Sequence, residues 1–323
     1  MKDIKRWLPG VLISVLAIAA IFYFVDFERL VEAVRQADYT LLSIAFILGS
    51  GWLMLRALVW RTILQEKASY SMTFWTASEG YLLNNLLPFR LGEIGRAFLL
   101  SRKAKLRFAE VLPSIVLERA LDLIFSAAIL LSAIPFVVKT SGAETISVVL
   151  GVIVLLGFTF LYVLANNREW ALKQAGRVPR LGRMAEPFLD GLSILTDGRR
   201  FLLTISLMAI NWSLAIVQFF MVIKAFFPEA EFPWALFAMG AGAFGGAVPS
   251  APGAVGTYEA ALGGALALVT SDEARSLAVA ITIHLFNYIM SGILGTYALS
   301  TEGQTLSGVY RQLMRIREEK EAG

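Results

Sequence analysis

The sequence predicts an all-α polytopic membrane protein: six transmembrane helices plus two opposed re-entrant helical hairpins, related as a degenerate inverted repeat. Three observations predict it. First, 57% of the 323 residues are hydrophobic and 17% charged, with a mean hydropathy of +0.66, whereas a soluble domain carries about 25% charge. Second, several apolar runs reach the roughly 18 residues that cross a bilayer, and two more are broken midway by Pro and Gly. Third, Lys and Arg fall unevenly between those runs.

The first span, 8–25, follows MKDIKRW. Ala17–Ala19 offers an Ala-x-Ala cleavage pattern, but the apolar run continues through Val25, which predicts a retained signal anchor. FERLVEAVRQAD (27–38) reads as a short interfacial helix, and span 40–60 follows it. Segment 72–101 is the first broken element, interrupted by PFRLG at 88–92. Its halves, about 12–16 residues each, are too short to cross at 1.5 Å per residue. Spans 112–135 and 146–165 come next. The basic, partly amphipathic loop 166–200 reads either as lying on the anionic inner leaflet or as an ordinary positive-inside loop. Span 201–224 precedes the second broken element, 234–270, interrupted by PSAPGAVG at 249–256. Span 276–299 completes a single integral membrane domain over 1–300, leaving 301–323 as a polar cytoplasmic tail.

With the N-terminus inside and each hairpin returning to its own side, 20 of the 29 Lys and Arg lie on the cytoplasmic face, five outside and four within the membrane. The positive-inside rule supports this arrangement, with both termini cytoplasmic in the inner membrane. The first hairpin then enters from the cytoplasm and the second from outside. Opposed broken elements mark inverted-repeat transporters, whose sites form where the elements meet.

Ionisable groups at membrane depth are expensive, about 2.5–3.5 kcal/mol each on translocon scales. The first half of the chain places eight there: Arg56, Glu79, Arg90, Glu93, Arg96, Glu118, Arg119 and Asp122, four of each sign. Glu118 and Asp122 are spaced i,i+4, and Arg119 and Asp122 i,i+3, so these charges share one side of a helix. That side is expected to meet the PFRLGEIGR turn. A helix restarting at Gly92–Glu93 presents free N–H groups and a positive dipole end. Arg90 beside them is suited to a phosphate. Arg96 either adds a second contact or snorkels to the interface, and Glu93 is placed to hold an Arg until a ligand displaces it. The alternative is a neutral salt-bridge cluster that only pins the hairpin.

The second broken element carries Gly242-x-x-x-Gly246, suited to close helix packing. At its turn Thr257 is a candidate N-cap, followed by Tyr258 and Glu259, the one acid of that stretch. His284, the only histidine, shares a helix with Asn287 and Tyr288 and is expected to hydrogen-bond a neighbouring helix. No zinc-spaced cluster, Walker A loop or Gly-x-Ser-x-Gly elbow occurs, so neither a metal nor a cofactor is expected.

Three ordered motifs, N-N-L-L-P-x-R-x-G-E-x-x-R, then L-E-R-x-x-D, then P-x-x-P-G-x-x-G-x-x-E, together resemble the transmembrane region of lysylphosphatidylglycerol synthases. That region also occurs alone in flippase-like membrane proteins and in relatives linked to archaeal lipid-linked glycan assembly. The resemblance runs from about Val11 to Leu299. It implies lipid handling, with Arg90, Gly92, Glu93, Arg96, Glu118, Arg119, Asp122, Pro252, Gly253, Gly256 and Glu259 at the recurrent positions. Only 24 residues follow Leu299, so synthase activity is not expected.

The expected function is lipid translocation between leaflets. Arg90, Gly92 and Arg96 would bind the headgroup phosphate, and Glu93, Glu118, Arg119 and Asp122 would line a polar path. Pro252, Gly253, Gly256 and Glu259 would form the opposite gate. The expected partners are membrane lipids: an anionic or aminoacylated phospholipid, or a polyprenyl-linked headgroup. Nucleic acid is not among them. Two alternatives are a membrane glycosyl- or lipid-modifying transferase, with Asp26 and Glu28 as its acidic motif, and a non-transporting envelope partner.

Overall fold

The computed structural model describes residues 12, 14–21, 23, 25–87, 91–137, 143–177, 185, 188–189, 192, 196–248, 250–303 and 308. All regular structure among them is helical: α1 (Phe27–Gln36), α2 (Tyr39–Ile63), α3 (Tyr70–Leu86), α4 (Leu91–Lys103), α5 (Phe108–Val137), α6 (Ala143–Asn166), α7 (Arg168–Ala175), α8 (Gly198–Phe226), α9 (Phe232–Ala247), α10 (Thr257–Thr270) and α11 (Glu273–Thr301), with a 3₁₀ turn at Pro252–Ala254 between α9 and α10.

Short polar side chains set where many of these helices begin. Asp26, Asp38, Ser69, Asp197 and Asp272 each accept amide hydrogens from the first turn they precede, satisfying donors that the helix itself cannot. Among the described residues, four helices are long and apolar enough to cross a membrane, α2, α5, α8 and α11, matching the spans expected at 40–60, 112–135, 201–224 and 276–299. Residues 14–21 are helical within the first expected span, and the rest of that span falls largely outside the described residues. The span expected at 146–165 lies within α6.

Both broken segments are pairs of short helices. α3 and α4 have 17 and 13 residues, α9 and α10 have 16 and 14. At 1.5 Å per residue each is about 20–26 Å long, less than the roughly 30 Å of a hydrocarbon core. Each pair is antiparallel and packed almost backbone to backbone. A Cβ at Gly92 would overlap the Gly80 carbonyl oxygen, and one at Gly245 would overlap Ala261 Cβ. α11 runs antiparallel along α3 with the same intimacy, since a Cβ at Gly295 would come within 2.6 Å of Leu82 Cβ.

The main apolar core joins α2, α8, α9, α10 and α11 around Phe219, Val222, Ile223, Met239, Leu262, Leu266 and Ile283, with Ala33 of α1 at one end. A second cluster joins Val59, Leu117, Leu121 and Met208 to Ala171, Leu189 and Leu192. The 166–200 segment, read either as lying on the inner leaflet or as an ordinary positive-inside loop, therefore sends apolar side chains into the protein. That burial removes them from water or headgroups and anchors the loop by packing as well as by charge.

Candidate functional site

Residue pairs 60/114 and 56/118 bring α2 and α5 together, and 96/118 brings α4 onto the same stretch of α5. At that junction Glu118, fully buried, receives three guanidiniums: Arg56 at 2.6 Å, Arg96 in a two-pronged contact at 2.8 and 3.2 Å, and Arg119 at 2.8 Å. Asp122 takes both prongs of Arg56, one of them at 2.7 Å, and Arg119 at 3.3 Å. Glu93 lies 3.6 Å from Arg119 Nε. Three cations therefore face three carboxylates, which is the way charges can be held in a low-dielectric interior without an uncompensated ion.

The positions of these groups follow from the sequence. The i,i+4 spacing of Glu118 and Asp122 and the i,i+3 spacing of Arg119 and Asp122 turn one strip of α5 toward α2 and α4, meeting the first broken element as expected. Arg96 does not snorkel: it is 3% exposed and stacks over the Trp60 ring at 4.2 Å, while Trp60 Nε1 donates to Ser114 Oγ at 3.0 Å. Burial beneath that indole leaves its guanidinium no route to an interface. Glu79 stands apart from the network. It is paired with Lys103 at 2.6 Å, and Lys103 also meets Glu302 and donates to Thr76 Oγ1 at 3.1 Å.

A narrow cleft opens beside the network, lined by Gly80, Tyr81, Asn84, Gly92, Glu93, Arg96 and Arg119. It has space for about one water molecule. Three buried polar atoms of its lining, Asn84 Oδ1, Arg96 Nε and Arg119 Nε, make no hydrogen bond. Gly92, Glu93, Arg96 and Arg119 were named from sequence, whereas Tyr81 and Asn84 were not. The doubled Asn in NNLLP was the available signal. Arg90, with Pro88, lies outside the described residues.

The second turn meets the first broken element. The 252–254 turn packs against the end of α3, with Gly253 beside the Asn85 carbonyl and the Tyr288 hydroxyl. Gly253 and Gly256 adopt φ of +68° and +88°, values glycine accepts freely. The expected cap at Thr257 is corrected. Gly256 is the N-cap, its amide donating to Glu259 Oε2 at 2.7 Å, and Thr257 Oγ1 donates back to the Ala254 carbonyl at 3.1 Å. Thr257 already belongs to the helix, so its hydroxyl faces the preceding turn. Oε1 of Glu259 meets His284 Nδ1 on α11, the interhelical partnership expected of the single histidine. Pro252 accepts from the Tyr288 hydroxyl at 3.5 Å.

Gly253→Ala tests the tight fit of this turn. Its Cβ would overlap the Tyr288 hydroxyl, and the left-handed backbone alone costs a residue with a Cβ about 1–2 kcal/mol. Thermal unfolding in detergent is expected to show a clear loss of stability, partly recovered in Gly253→Ala/Tyr288→Phe. The worst overlap goes with the hydroxyl, while a 2.7 Å approach to the ring carbon Cζ and the backbone cost remain.

Comparison with known proteins adds a second line of information. A family model described as the lysylphosphatidylglycerol synthase TM region matches residues 7–295. A UPF0104 membrane protein of Methanothermobacter thermautotrophicus is 23% identical over 338 residues, covering 98% of this chain and 100% of that protein. Glycosyltransferase AglD of Haloferax volcanii is 23% identical over 357 residues, covering 96% of this chain and 56% of that protein. The chain thus spans little more than half the length of that glycosyltransferase. No solved structure matches.

Proposed function

The chain belongs to the lysylphosphatidylglycerol synthase transmembrane-region family, and from that premise we propose that this multi-pass membrane protein moves a lipid or lipid-linked headgroup between leaflets. The observation that carries the reading is the polar cleft at the charge network. A buried, ion-paired site with unpartnered polar atoms is costly in a bilayer. It is intelligible where a polar headgroup has to pass. In this reading the six spans and two re-entrant hairpins form one membrane domain over 1–300, with both termini and the 301–323 tail cytoplasmic.

The roles follow from charge and position. Arg56, Arg96 and Arg119 are balanced by Glu93, Glu118 and Asp122, so the network needs no further cation for neutrality. Arg90, the remaining cation of those read at membrane depth from the sequence, would meet a phosphate in this reading, together with the start of α4 at Gly92 and the edge of Arg96. Glu93, Glu118, Arg119 and Asp122 line the path. Pro252, Gly253, Gly256 and Glu259 form the opposing gate. The cleft as it stands is too small for a headgroup, so movement of α3–α4 against the 252–254 turn accompanies passage. The substrate class is an anionic or aminoacylated phospholipid, or a polyprenyl-linked headgroup.

Reconstitution in liposomes with a panel of labelled lipids tests this. Wild-type protein is expected to speed the loss of leaflet asymmetry, and Arg90→Ala to remove that acceleration. No movement of any lipid by folded protein would sink the translocase reading and favour a non-transporting partner of another envelope protein.

A transferase is the second reading, favoured by the similarity to glycosyltransferase AglD of Haloferax volcanii. Against it, Asp26 is engaged as the cap of α1, accepting from the amides of Glu28 and Arg29 at 2.9 and 3.3 Å. Turnover of a lipid-linked sugar by the purified protein would revive it.

A further inference from the structure

The Glu259–His284 pair stands outside the charge network, and the headgroup path has no use for an imidazole. Glu259 lies in the first turn of α10 and His284 opposite it on α11, their side chains 12% and 10% exposed. Both carboxylate oxygens are engaged, Oε2 by the Gly256 amide and Oε1 by the imidazole. The rings of Tyr258 and Tyr288 flank the imidazole, with centroids 4.6 and 4.8 Å away. Histidine is the side chain whose ordinary titration falls near neutrality, and this is the only one in the chain.

The surroundings bring few other charges. α9, the 252–254 turn and helical residues 14–21 contain no ionisable side chain. The charged groups of α1 (Glu28, Arg29, Glu32 and Arg35) are exposed. Those on α2, α3, α8 and the start of α11 either have partners elsewhere (Arg56 with Glu118, Arg61 with the Ala68 carbonyl, Glu79 with Lys103, Arg200 with Asp197, Lys224 with the Pro228 carbonyl and Arg275 with Asp272) or, as with Arg199 and Glu273, are exposed. Among the described residues, the phenols of Tyr258 and Tyr288 are the ionisable groups in ring contact with the imidazole.

We infer that Glu259 and His284 form a proton-binding site that couples lipid movement to a proton gradient. The inference rests on the translocase reading and supplies its energy source. In one state of the pair the Glu259 carboxylate faces a neutral imidazole and the site carries one negative charge. A proton taken up from one side of the membrane forms an N–H bond on the His284 imidazole, converts it to an imidazolium and makes the pair neutral. Its release to the other side restores the pair, and no other bond changes.

The link to the first broken element is laid out on α11. His284, Tyr288 and Ser291, four and three residues apart, share one helix face. Tyr288 donates to the Pro252 carbonyl at 3.5 Å, and Ser291 Oγ accepts from Asn85 Nδ2 at 2.7 Å. An imidazolium draws the Glu259 carboxylate toward α11 more strongly than a neutral imidazole does, so proton uptake shifts its hold on the Gly256 amide at the start of α10 and on the turn clipped against α3. One helix face therefore connects the proton site to the residues next to the Arg96 cleft.

The test uses purified full-length protein in vesicles of phosphatidylethanolamine and phosphatidylglycerol containing fluorescent analogues of both. Membrane potential is clamped with valinomycin and potassium. A gradient of one pH unit is a tenfold difference in proton activity, so at one proton per lipid the leaflet ratio of the moved analogue is expected to shift by about tenfold. In Glu259→Gln and His284→Asn the ratio is expected to lose its dependence on the gradient. Lipid movement by wild-type protein that ignores the gradient overturns the inference and leaves the translocase standing. A gradient response that persists in both variants overturns it as well. No lipid movement by wild-type protein removes the translocase reading and this one with it. Wild-type movement that ignores the gradient decides against the inference whatever the variants do, and either folded variant suffices to tie a wild-type response to the pair.

Discussion

Replacing Glu118 with Ala is expected to produce the largest electrostatic loss of stability available in this protein. Its carboxylate is fully buried and shared by Arg56, Arg96 and Arg119. Without it, three guanidiniums on three helices are left with Asp122 and a 3.6 Å contact to Glu93. Removing one partner of a buried ion pair costs about 3–5 kcal/mol, because the charge left behind can neither find water nor neutralise. Arginine gives up its proton to no ordinary environment, so the structure has to open instead. Thermal unfolding of the purified protein in detergent should show a large drop in midpoint, with Glu118→Gln in between, since the amide keeps the shape and an acceptor oxygen but not the charge. A midpoint unchanged in Glu118→Ala would mean that the network does not join α2, α4 and α5.

Gly92→Ala is expected to be the most damaging change that adds only a methyl group. Its Cβ would overlap the Gly80 carbonyl and lie 2.5 Å from the Asn84 amide and 2.6 Å from its Oδ1. Two of these three obstacles are backbone of α3, so no rotamer change makes room and the helix pair has to part. Overpacking with repacking costs about 1–3 kcal/mol, and here repacking is barred. Gly292→Ala is the matched control. Nothing lies within 4 Å of its Cβ position, and in a helix interior the change should stabilise by up to about 1 kcal/mol. The yield of monodisperse protein on size exclusion, measured for both, separates the two positions. Equal behaviour would contradict the close α3–α4 packing.

Apolar run length sufficed to find the four long spans, because that quantity needs no knowledge of neighbours. Pro and Gly located the breaks for the same reason. The charged strip of α5 was legible too, since its i,i+3 and i,i+4 spacing defines a face of a helix on its own. Partnerships between helices were not. α5 is apolar on every side apart from that strip, and a helix of that kind carries no hydrophobic pattern to fix its rotation. Arg96 could therefore be read as a second phosphate contact or as snorkelling to the interface, and its pairing with Glu118 was not legible. Lys103, counted from sequence with the charges outside the membrane, reaches back along α4 to Glu79, a contact that depends on how α3 and α4 are staggered. That stagger is set by Gly80 and Gly92, residues with no side chain to read. Thr257 was misjudged as a cap because glycine at +88° can start a helix with its own backbone, leaving the hydroxyl inside the first turn.

Lys103 also meets Glu302 at the end of α11, which gives the last described helix a mechanical handle on α4. A spectroscopic label placed near residue 302 would therefore sense displacement of the first broken element without touching the cleft. The same tether warns against attaching a bulky fusion there, because the load would act on the element whose motion is being followed.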